Sequence, residues 1–178
     1  MEEIIAILKT DTLSYDFTNG GLRYLSLRAR TNFPLLDLRA LAGKQVGQGV
    51  EELIIKETGK FLSTGKHSMP LDLSSFTAFQ RSVFDQVSAI EPGQITTYKG
   101  IAEMLGKPGA AQAVGNAIAK NPVSYFIPTH RVLPQRGIGI CRSGAGHLRE
   151  RLLEMEGHDL TKLRGNYLCP GKKCVYYD

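Results

Sequence analysis

The sequence of 178 residues lacks the features that identify several large classes of protein. No run approaches the ~20 uncharged apolar residues that a membrane-spanning helix requires. The first residues, Met1-Glu2-Glu3, are acidic and are not followed by the basic and apolar regions of a secretory signal. Neither a phosphate-binding loop nor a dinucleotide-binding fingerprint occurs. We therefore expect no membrane partner, no nucleotide cofactor and no secretion.

Cysteine is also scarce, and this bounds both the compartment and the metal chemistry. Cys141, Cys169 and Cys174 all lie in the last quarter of the chain. An odd and sparse set argues against a disulfide framework and favours a reducing compartment, either the cytoplasm or, in a eukaryote, the nucleus. The four histidines are scattered and the first 75 residues contain no cysteine, so we predict no metal site.

The net charge of +5 is unevenly distributed along the chain. Residues 1–75 contain nine basic and nine acidic residues, whereas residues 76–178 contain 13 basic and eight acidic ones. A neutral part beside a basic part is expected of a protein that binds a polyanion. A solvated basic face without any partner would give the same charge balance.

Residues 1–75 are predicted to form a small N-terminal domain of the α/β or α+β class. Residues 4–8 fit a strand, and residues 13–17 and 22–27 alternate around a turn as in a hairpin. Helical spacing of apolar residues runs from Val50 to Leu62 and stops at Gly65. Residues 63–75 are polar and are interpreted as a linker.

Residues 76–178 are predicted to form a second, mostly helical domain. Thr77 and Gln80 have the spacing of a capping box at the start of its first helix. Short helices at 97–105 and 109–120, joined by a tight turn, suggest a helix-turn-helix. The second of these is rich in alanine and glycine, which permits close approach to DNA but is equally typical of a core helix. A buried extended run at 125–127 and a helix at 148–155 that ends at Gly157 follow.

A series of motifs in residues 76–158 resembles, in order and spacing, the O6-alkylguanine-DNA alkyltransferases. The motifs are Phe79-Gln80, Pro92-Gly93, Thr97-Tyr98, Gly106-Lys107-Pro108, Ala113-Val114-Gly115, Asn121-Pro122, Pro128-Thr129-His130-Arg131-Val132 and Glu156-Gly157. The resemblance implies a ribonuclease-H-like N-terminal domain and a winged helix-turn-helix that binds the DNA minor groove. It further implies a monomer without cofactors that rotates O6-alkylguanine out of duplex DNA into a pocket.

The resemblance assigns roles to individual residues. His130 and Glu156 correspond to the acid–base relay of the family, Asn121 to the asparagine that braces the site, and Tyr98 to the tyrosine that contacts the base or its phosphate. The alternative for His130 and Glu156 is a buried structural pair. Asn121 could instead be a simple helix stop, and Tyr98 an ordinary aromatic residue on a helix face. The full set of residues assigned to DNA and base binding is Tyr98, Gln112, Ala113, Gly115, Arg131, Arg142, Ser143 and Gly144.

Three positions depart from the family motif, and the resemblance assigns all three to the site where the family binds and repairs the damaged base. Thr129 stands where the acceptor cysteine belongs, and a threonine hydroxyl is far less acidic than a thiol and needs strong activation to attack carbon. Gln112 replaces the arginine that enters the base stack. Arg142, in the pocket-wall loop, precedes Ser143-Gly144 where the family usually has an aromatic residue.

Three functions therefore remain open from the sequence. The first is a protein that binds O6-alkylguanine without transferring the alkyl group and marks or shields it for a downstream repair protein. The second is an active transferase that uses Cys141, or one whose natural cysteine at position 129 has been replaced. The third is a DNA-binding regulator without preference for the lesion.

Overall fold

The computed structural model describes residues 12–28, 48–123, 125–138 and 146–163. Its backbone contacts divide the chain into two compact units, Met1–Asp72 and Leu73–Asp178. This division falls close to the change in sequence pattern at Phe76. The strand predicted at residues 4–8 lies outside the described residues.

The first unit contains the predicted hairpin and the predicted helix. Strands β1 (Thr12–Thr18) and β2 (Gly21–Arg28) pair antiparallel across the turn at Asn19 and Gly20. Helix α1 (Gln48–Thr64) ends at Gly65, which has φ +70° and donates its N–H to the carbonyl of Phe61 at 2.8 Å. The predictions of a hairpin and of a helix that stops at Gly65 are therefore confirmed.

The interpretation of residues 63–75 as a linker is wrong for much of that segment. The N–H of Leu22 donates to the carbonyl of Pro70 at 2.8 Å, and the N–H of Asp72 donates to the carbonyl of Leu22 at 2.9 Å. Gly21 has φ +128°, and a Cβ there would overlap the carbonyl oxygen of Pro70. A polar composition gave no sign of this pairing, because backbone groups make the bonds.

The second unit begins with helix α2 (Ala78–Ser88), whose start confirms the predicted capping box. The N–H of Gln80 donates to the Thr77 hydroxyl at 3.3 Å, and the N–H of Thr77 donates to the Gln80 side chain at 2.9 Å. These two bonds satisfy N–H groups that would otherwise lack partners at the helix end. Val83, Phe84 and Val87 form the buried face of α2.

Two short helices follow, as predicted, although both are shorter than the sequence pattern suggested. They are α3 (Tyr98–Met104) and α4 (Ala111–Ile118). Helix α3 ends in a Schellman motif, in which the N–H groups of Gly106 and Lys107 donate to the carbonyls of Glu103 and Ala102 at 2.9 and 2.8 Å. This motif turns the chain so that α4 packs against α3.

A pair of two-residue strands connects distant parts of the second unit. Strand β3 (Thr96–Thr97) pairs in parallel with β4 (Val132–Leu133). The Thr97 hydroxyl also accepts the N–H of Gly100 at 2.9 Å and so caps α3. The start of the helix pair is therefore joined to the residues that directly follow Arg131.

The remaining elements complete the core beside this strand pair. They are a 3₁₀ helix (Thr129–Arg131), helix α5 (Gly146–Met155) and helix α6 (Leu160–Leu163). One core cluster contains Ile95, Leu133, Ile138, Leu153 and Leu163. The predicted helix at 148–155 is confirmed, with its start two residues earlier. None of the helices in the described parts of the chain combines the length and apolarity needed to cross a membrane.

The capping box gives a first test of the fold. We expect Thr77→Ala to lower the free energy of unfolding of the second unit by about 1 kcal/mol, because the Gln80 N–H loses its partner. Chemical denaturation followed by circular dichroism measures the change. Ser75→Ala, which alters an exposed neighbour, is the matched control and should change stability little. Equal stability of Thr77→Ala and wild type would contradict a role for the cap.

Candidate functional site

The segment Pro128–Val132 is held in a single conformation by its own backbone. The N–H of Thr129 donates to the carbonyl of Ile127 at 2.7 Å, and the N–H of Arg131 donates to the carbonyl of Pro128 at 3.0 Å. The second of these bonds and that from the N–H of Val132 to the carbonyl of Thr129 form the 3₁₀ helix. Thr129 is half-buried in it, while its two neighbours are buried. The strand pairing of Val132 then fixes the end of the segment.

Glu156 is the centre of a buried polar cluster at this segment. Its Oε1 lies 2.9 Å from Nε2 of His130 and 2.7 Å from Nη2 of Arg131. The Nε of Arg131 donates to both carboxylate oxygens at 3.0 and 3.1 Å. The two partner side chains come from the 3₁₀ helix, so the end of α5 is fastened to it through one carboxylate.

Backbone groups of residues 90–93 complete the cluster. Nη1 of Arg131 donates to the carbonyl of Ile90 at 2.6 Å, and the N–H of Gly93 donates to Oε2 of Glu156 at 3.3 Å. Gly93 has φ +76° in a turn closed by the N–H of Gln94 on the carbonyl of Glu91, the type II pattern that places Pro92 before glycine. The turn thereby presents an N–H to the carboxylate.

The position of Glu156 follows from the way in which α5 ends. Gly157 has φ +87°, and its N–H and that of His158 donate to the carbonyls of Glu154 and Leu153 at 2.9 and 3.0 Å. This is a Schellman motif, and its left-handed residue favours glycine. Glu156 is the last residue before that reversal, which sets its side chain toward Arg131.

The electrostatics of the cluster determine its protonation. Burial alone would raise the pKa of Glu156, but hydrogen bonds from His130 and Arg131 outweigh it and lower the pKa to about 2. Burial lowers the pKa of His130, against the opposing effect of its hydrogen bond to Glu156. At neutral pH the pair is therefore a carboxylate and a neutral imidazole.

These protonation states fix the tautomer of His130. An ionised carboxylate can only accept hydrogen bonds, so Nε2 of His130 carries the proton that it shares with Glu156. The other ring nitrogen, Nδ1, then has a free lone pair and is the basic atom of the ring. The arrangement can accept a proton from a neighbouring group and stabilise the resulting imidazolium.

Asn121 braces the chain that leads into this segment. Its Nδ2 donates to the carbonyl of Ile127 at 3.2 Å, and its Oδ1 accepts the N–H of Val123 at 3.1 Å. Between these points Tyr125 adopts φ +80°, which is strained for an aromatic residue. Residues 125–127 are buried, as predicted, but the chain turns there instead of being extended.

The exposed face of α4 is the second part of the candidate site. Gln112 and Ala113 are exposed, and Gly115 is half-buried. A Cβ on Gly115 would lie 3.7 Å from Cδ1 of Tyr98, so the Tyr98 ring rests beside this face of α4. The structure thus brings Tyr98 and Gly115 together. His130 and Glu156 meet at the 3₁₀ helix that contains Thr129, and Asn121 bonds to the carbonyl of Ile127 just before that helix.

Arg131 requires a correction to the sequence analysis, which assigned it to DNA binding. Its side chain is 0% exposed and is committed to Glu156 and the carbonyl of Ile90. It cannot contact a phosphate in this conformation and instead supports the site from inside. Cys141, Arg142, Ser143 and Gly144 lie outside the described residues.

Sequence reasoning missed the support that Arg131, Ile90 and Gly93 give to Glu156. The Pro92-Gly93 pair was the available signal, but it entered the prediction only as one of the family motifs and not as a partner of Glu156. Among the residues that the structure describes, no group of three or more His, Cys, Asp or Glu side chains could hold a metal ion.

Comparison with known proteins places this site in a family context. Residues 78–158 match the family model described as the DNA-binding domain of 6-O-methylguanine DNA methyltransferase. A methylated-DNA–protein-cysteine methyltransferase of Shigella flexneri is 43% identical over 82 residues, which are 46% of this chain and 48% of that relative. The chain thus spans about half the length of the curated relatives it matches.

Solved structures resemble a larger part of the chain. A variant of Mycobacterium tuberculosis OGT superposes with a TM-score of 0.66 and 27% identity, covering 84% of this chain and 90% of that one. M. tuberculosis OGT in complex with DNA has a TM-score of 0.62 and 26% identity, covering 81% and 85%. The mixed fold of helices and small sheets is therefore shared with these proteins.

The Glu156 cluster predicts an asymmetric cost of removing its charges. We expect Arg131→Met to lower the free energy of unfolding by about 3 kcal/mol, because a buried carboxylate loses its counter-charge. The double variant Arg131→Met/Glu156→Gln should cost less than the sum of the single variants, because no buried charge remains. Urea denaturation measures the free energy of unfolding of Arg131→Met, of Glu156→Gln and of the double variant. Arg151→Met, which removes an exposed pair with Glu154 at 3.6 Å, should cost less than about 1 kcal/mol.

The cluster also predicts that acid destabilises the second unit. Burial lowers the pKa values of both His130 and His158 from 6.5, so the unfolded chain takes up protons first as the pH falls. The stability that these two histidines contribute is fully present above pH 6.5 and is lost as the pH falls below that value. Glu156, with a pKa of about 2 instead of 4.5, adds stability that is present above pH 4.5 and lost toward pH 2.

Urea denaturation at about pH 8, 6 and 5 measures this dependence. His130→Gln and His158→Gln should each flatten the dependence between neutral and mildly acid pH. These variants are needed because burial also lowers the pKa of His67 in the first unit, which adds an effect of the same sign. A slope that neither variant changes would contradict the prediction.

Proposed function

We propose that this chain, whose residues 78–158 match the DNA-binding domain of 6-O-methylguanine DNA methyltransferase, binds O6-alkylguanine in duplex DNA without transferring the alkyl group. One observation supports the proposal above all. The His130–Glu156 pair is present and buried, with Nε2 of His130 2.9 Å from Oε1 of Glu156, yet the residue beside it is Thr129. The residues proposed to bind and support the lesion are present, whereas position 129 carries no acceptor thiol.

The proposed DNA-binding element is the helix pair α3–α4 within a winged helix-turn-helix. The second unit carries the whole excess of basic charge, and Lys107 and Lys120 are exposed at the two ends of α4. Such side chains can neutralise phosphates. The comparison protein from M. tuberculosis is described in complex with DNA, which agrees with this assignment. For the first unit we propose the ribonuclease-H-like fold that the resemblance implies.

The shape of α4 suits the minor groove, which is about 6 Å wide. Ala113 on α4 and Ala119 directly after it are exposed, and Gly115 adds no side chain, so the backbone could approach the groove closely at these positions. A guanine with an alkylated O6 pairs poorly, which lowers the few kcal/mol needed to rotate it out of the stack. We propose that rotation delivers the base to the segment at Thr129.

Alkyl transfer requires a nucleophile that forms a bond to the alkyl carbon while the bond from that carbon to O6 breaks. A thiolate does this readily, whereas the threonine hydroxyl remains protonated at neutral pH and is a poor nucleophile. The neutral His130 can offer a lone pair but cannot lower the hydroxyl pKa by the many units required. The proposed outcome is binding followed by release of unchanged DNA.

A protein that grips a lesion without repairing it is useful only if another activity acts on the same DNA. We therefore propose that the complex marks the lesion for a separate repair protein. The half-buried Thr129 contributes a methyl group and a hydroxyl to the surface that would meet the base. Both can contact the lesion without forming a covalent bond.

The proposal predicts no covalent product. We expect no label on the wild-type chain after incubation with duplex DNA that carries [³H]methyl-O6-guanine. We also expect tighter binding to this duplex than to an undamaged one of the same sequence at matched salt. Denaturing electrophoresis detects transfer, and fluorescence anisotropy measures binding. Equal affinity for both duplexes would favour a regulator without lesion preference.

Two substitutions at position 129 and one at Cys141 sharpen the test. Thr129→Cys should gain stoichiometric label, because the His130–Glu156 pair is already in place, whereas Thr129→Ser keeps an alcohol and should gain none. If the wild-type chain itself becomes labelled, the proposal fails. Loss of that label in Cys141→Ser would then identify Cys141 as the acceptor.

A further inference from the structure

Two uncharged amide side chains lie side by side on the exposed face of α4. Gln112 and Asn116 are one helical turn apart, and both are exposed. Within the described part of the chain, neither amide group is engaged in a hydrogen bond. Ala113 on the same helix and Ala119 directly after it are also exposed but have short side chains, so the two amides extend furthest from this face. Asn116 takes part neither in the Glu156 cluster nor in the contact between Tyr98 and Gly115.

We infer that Gln112 and Asn116 read the base pairs that flank the lesion through the minor groove and favour G·C there. This inference rests on the proposed DNA-binding function and adds a specificity to it. The phosphate contacts of Lys107 and Lys120 cannot supply such a preference, because phosphates are the same for every sequence. Uncharged amides that reach base edges can.

The preference for G·C follows from the atoms that the minor groove displays. A·T and T·A pairs present only the acceptors N3 of adenine and O2 of thymine, whereas G·C adds the N2 amino donor of guanine. An amide side chain has both an N–H₂ donor and a carbonyl acceptor. Both ends of the amide find partners only at G·C, while at A·T the carbonyl loses its hydration without a partner.

The two lysines support this reading by their position. Lys107 precedes α4 and its Nζ lies 5.2 Å from the centre of the Phe79 ring, which restrains it. Lys120 lies two residues after Ile118, the last residue of α4. Positive charges at both ends can hold the helix along the groove, and the amides between them then face base edges. A positively charged side chain at position 112 would raise the affinity for DNA of every base sequence, whereas glutamine distinguishes one base pair from another.

Inosine provides the sharpest probe, because it lacks only the N2 amino group of guanine and leaves the major groove unchanged. We expect the wild-type chain to bind an O6-methylguanine duplex with G·C at both flanking pairs roughly fivefold more tightly than the same duplex with I·C there, the lower end of the effect of one altered base pair. Fluorescence anisotropy at fixed salt measures the ratio. The variant Gln112→Ala/Asn116→Ala should reduce it to about one.

Further measurements separate readout from other causes. Ser88→Ala removes an exposed polar side chain from α2 and should keep the wild-type ratio. Circular dichroism checks that each variant is folded. A G·C to I·C ratio of one for the wild type, or a ratio that the double variant retains, would overturn the inference. If the wild type binds damaged and undamaged duplexes equally, the proposed function fails instead, and the two failures are thereby distinguished.

Discussion

The second unit depends on the ion pair between Arg131 and Glu156. Neither group could be buried alone, since an unpaired charge in the interior costs several kcal/mol, and together they gather His130, the carbonyl of Ile90 and the N–H of Gly93. The Glu156 carboxylate is thus a structural junction between three segments of the chain, and it also holds the His130 ring. The junction does not depend on the side chain at position 129, because other residues make every hydrogen bond in it.

Local sequence signals predicted most of the fold. The Thr77–Gln80 capping box, the hairpin turn at Asn19 and the glycines that follow α1 and α5 are short-range features whose physics is complete within a few residues. They gave the helices and the hairpin, with errors of a few residues at the ends. The helical pattern at 109–120 could not reveal that α4 is only eight residues long, because alanine favours a helix wherever it stands and does not mark a helix end.

Contacts between distant residues were beyond the sequence. The resemblance gave His130, Glu156 and Asn121, and the structure shows how they are held, but it moves Arg131 from the DNA surface to the interior. An arginine beside a histidine has the same sequence signature whether it meets a phosphate or a buried carboxylate. The pairing of residues 70–72 with β2 was missed for a similar reason, since backbone hydrogen bonds leave no trace in composition.

The span of the Glu156 cluster sets the order in which the second unit can assemble. The hydrogen bond from Gly93 to Glu156 joins residues 63 positions apart, whereas α2, α3 and α4 contact neighbours that are close in sequence. Near contacts form early and long loops close late. On the ribosome, therefore, the three helices are synthesised and can pack together before Glu156, which holds the His130 ring, has been added to the chain. A nascent chain would present the proposed DNA-binding helices before the Glu156 cluster is complete.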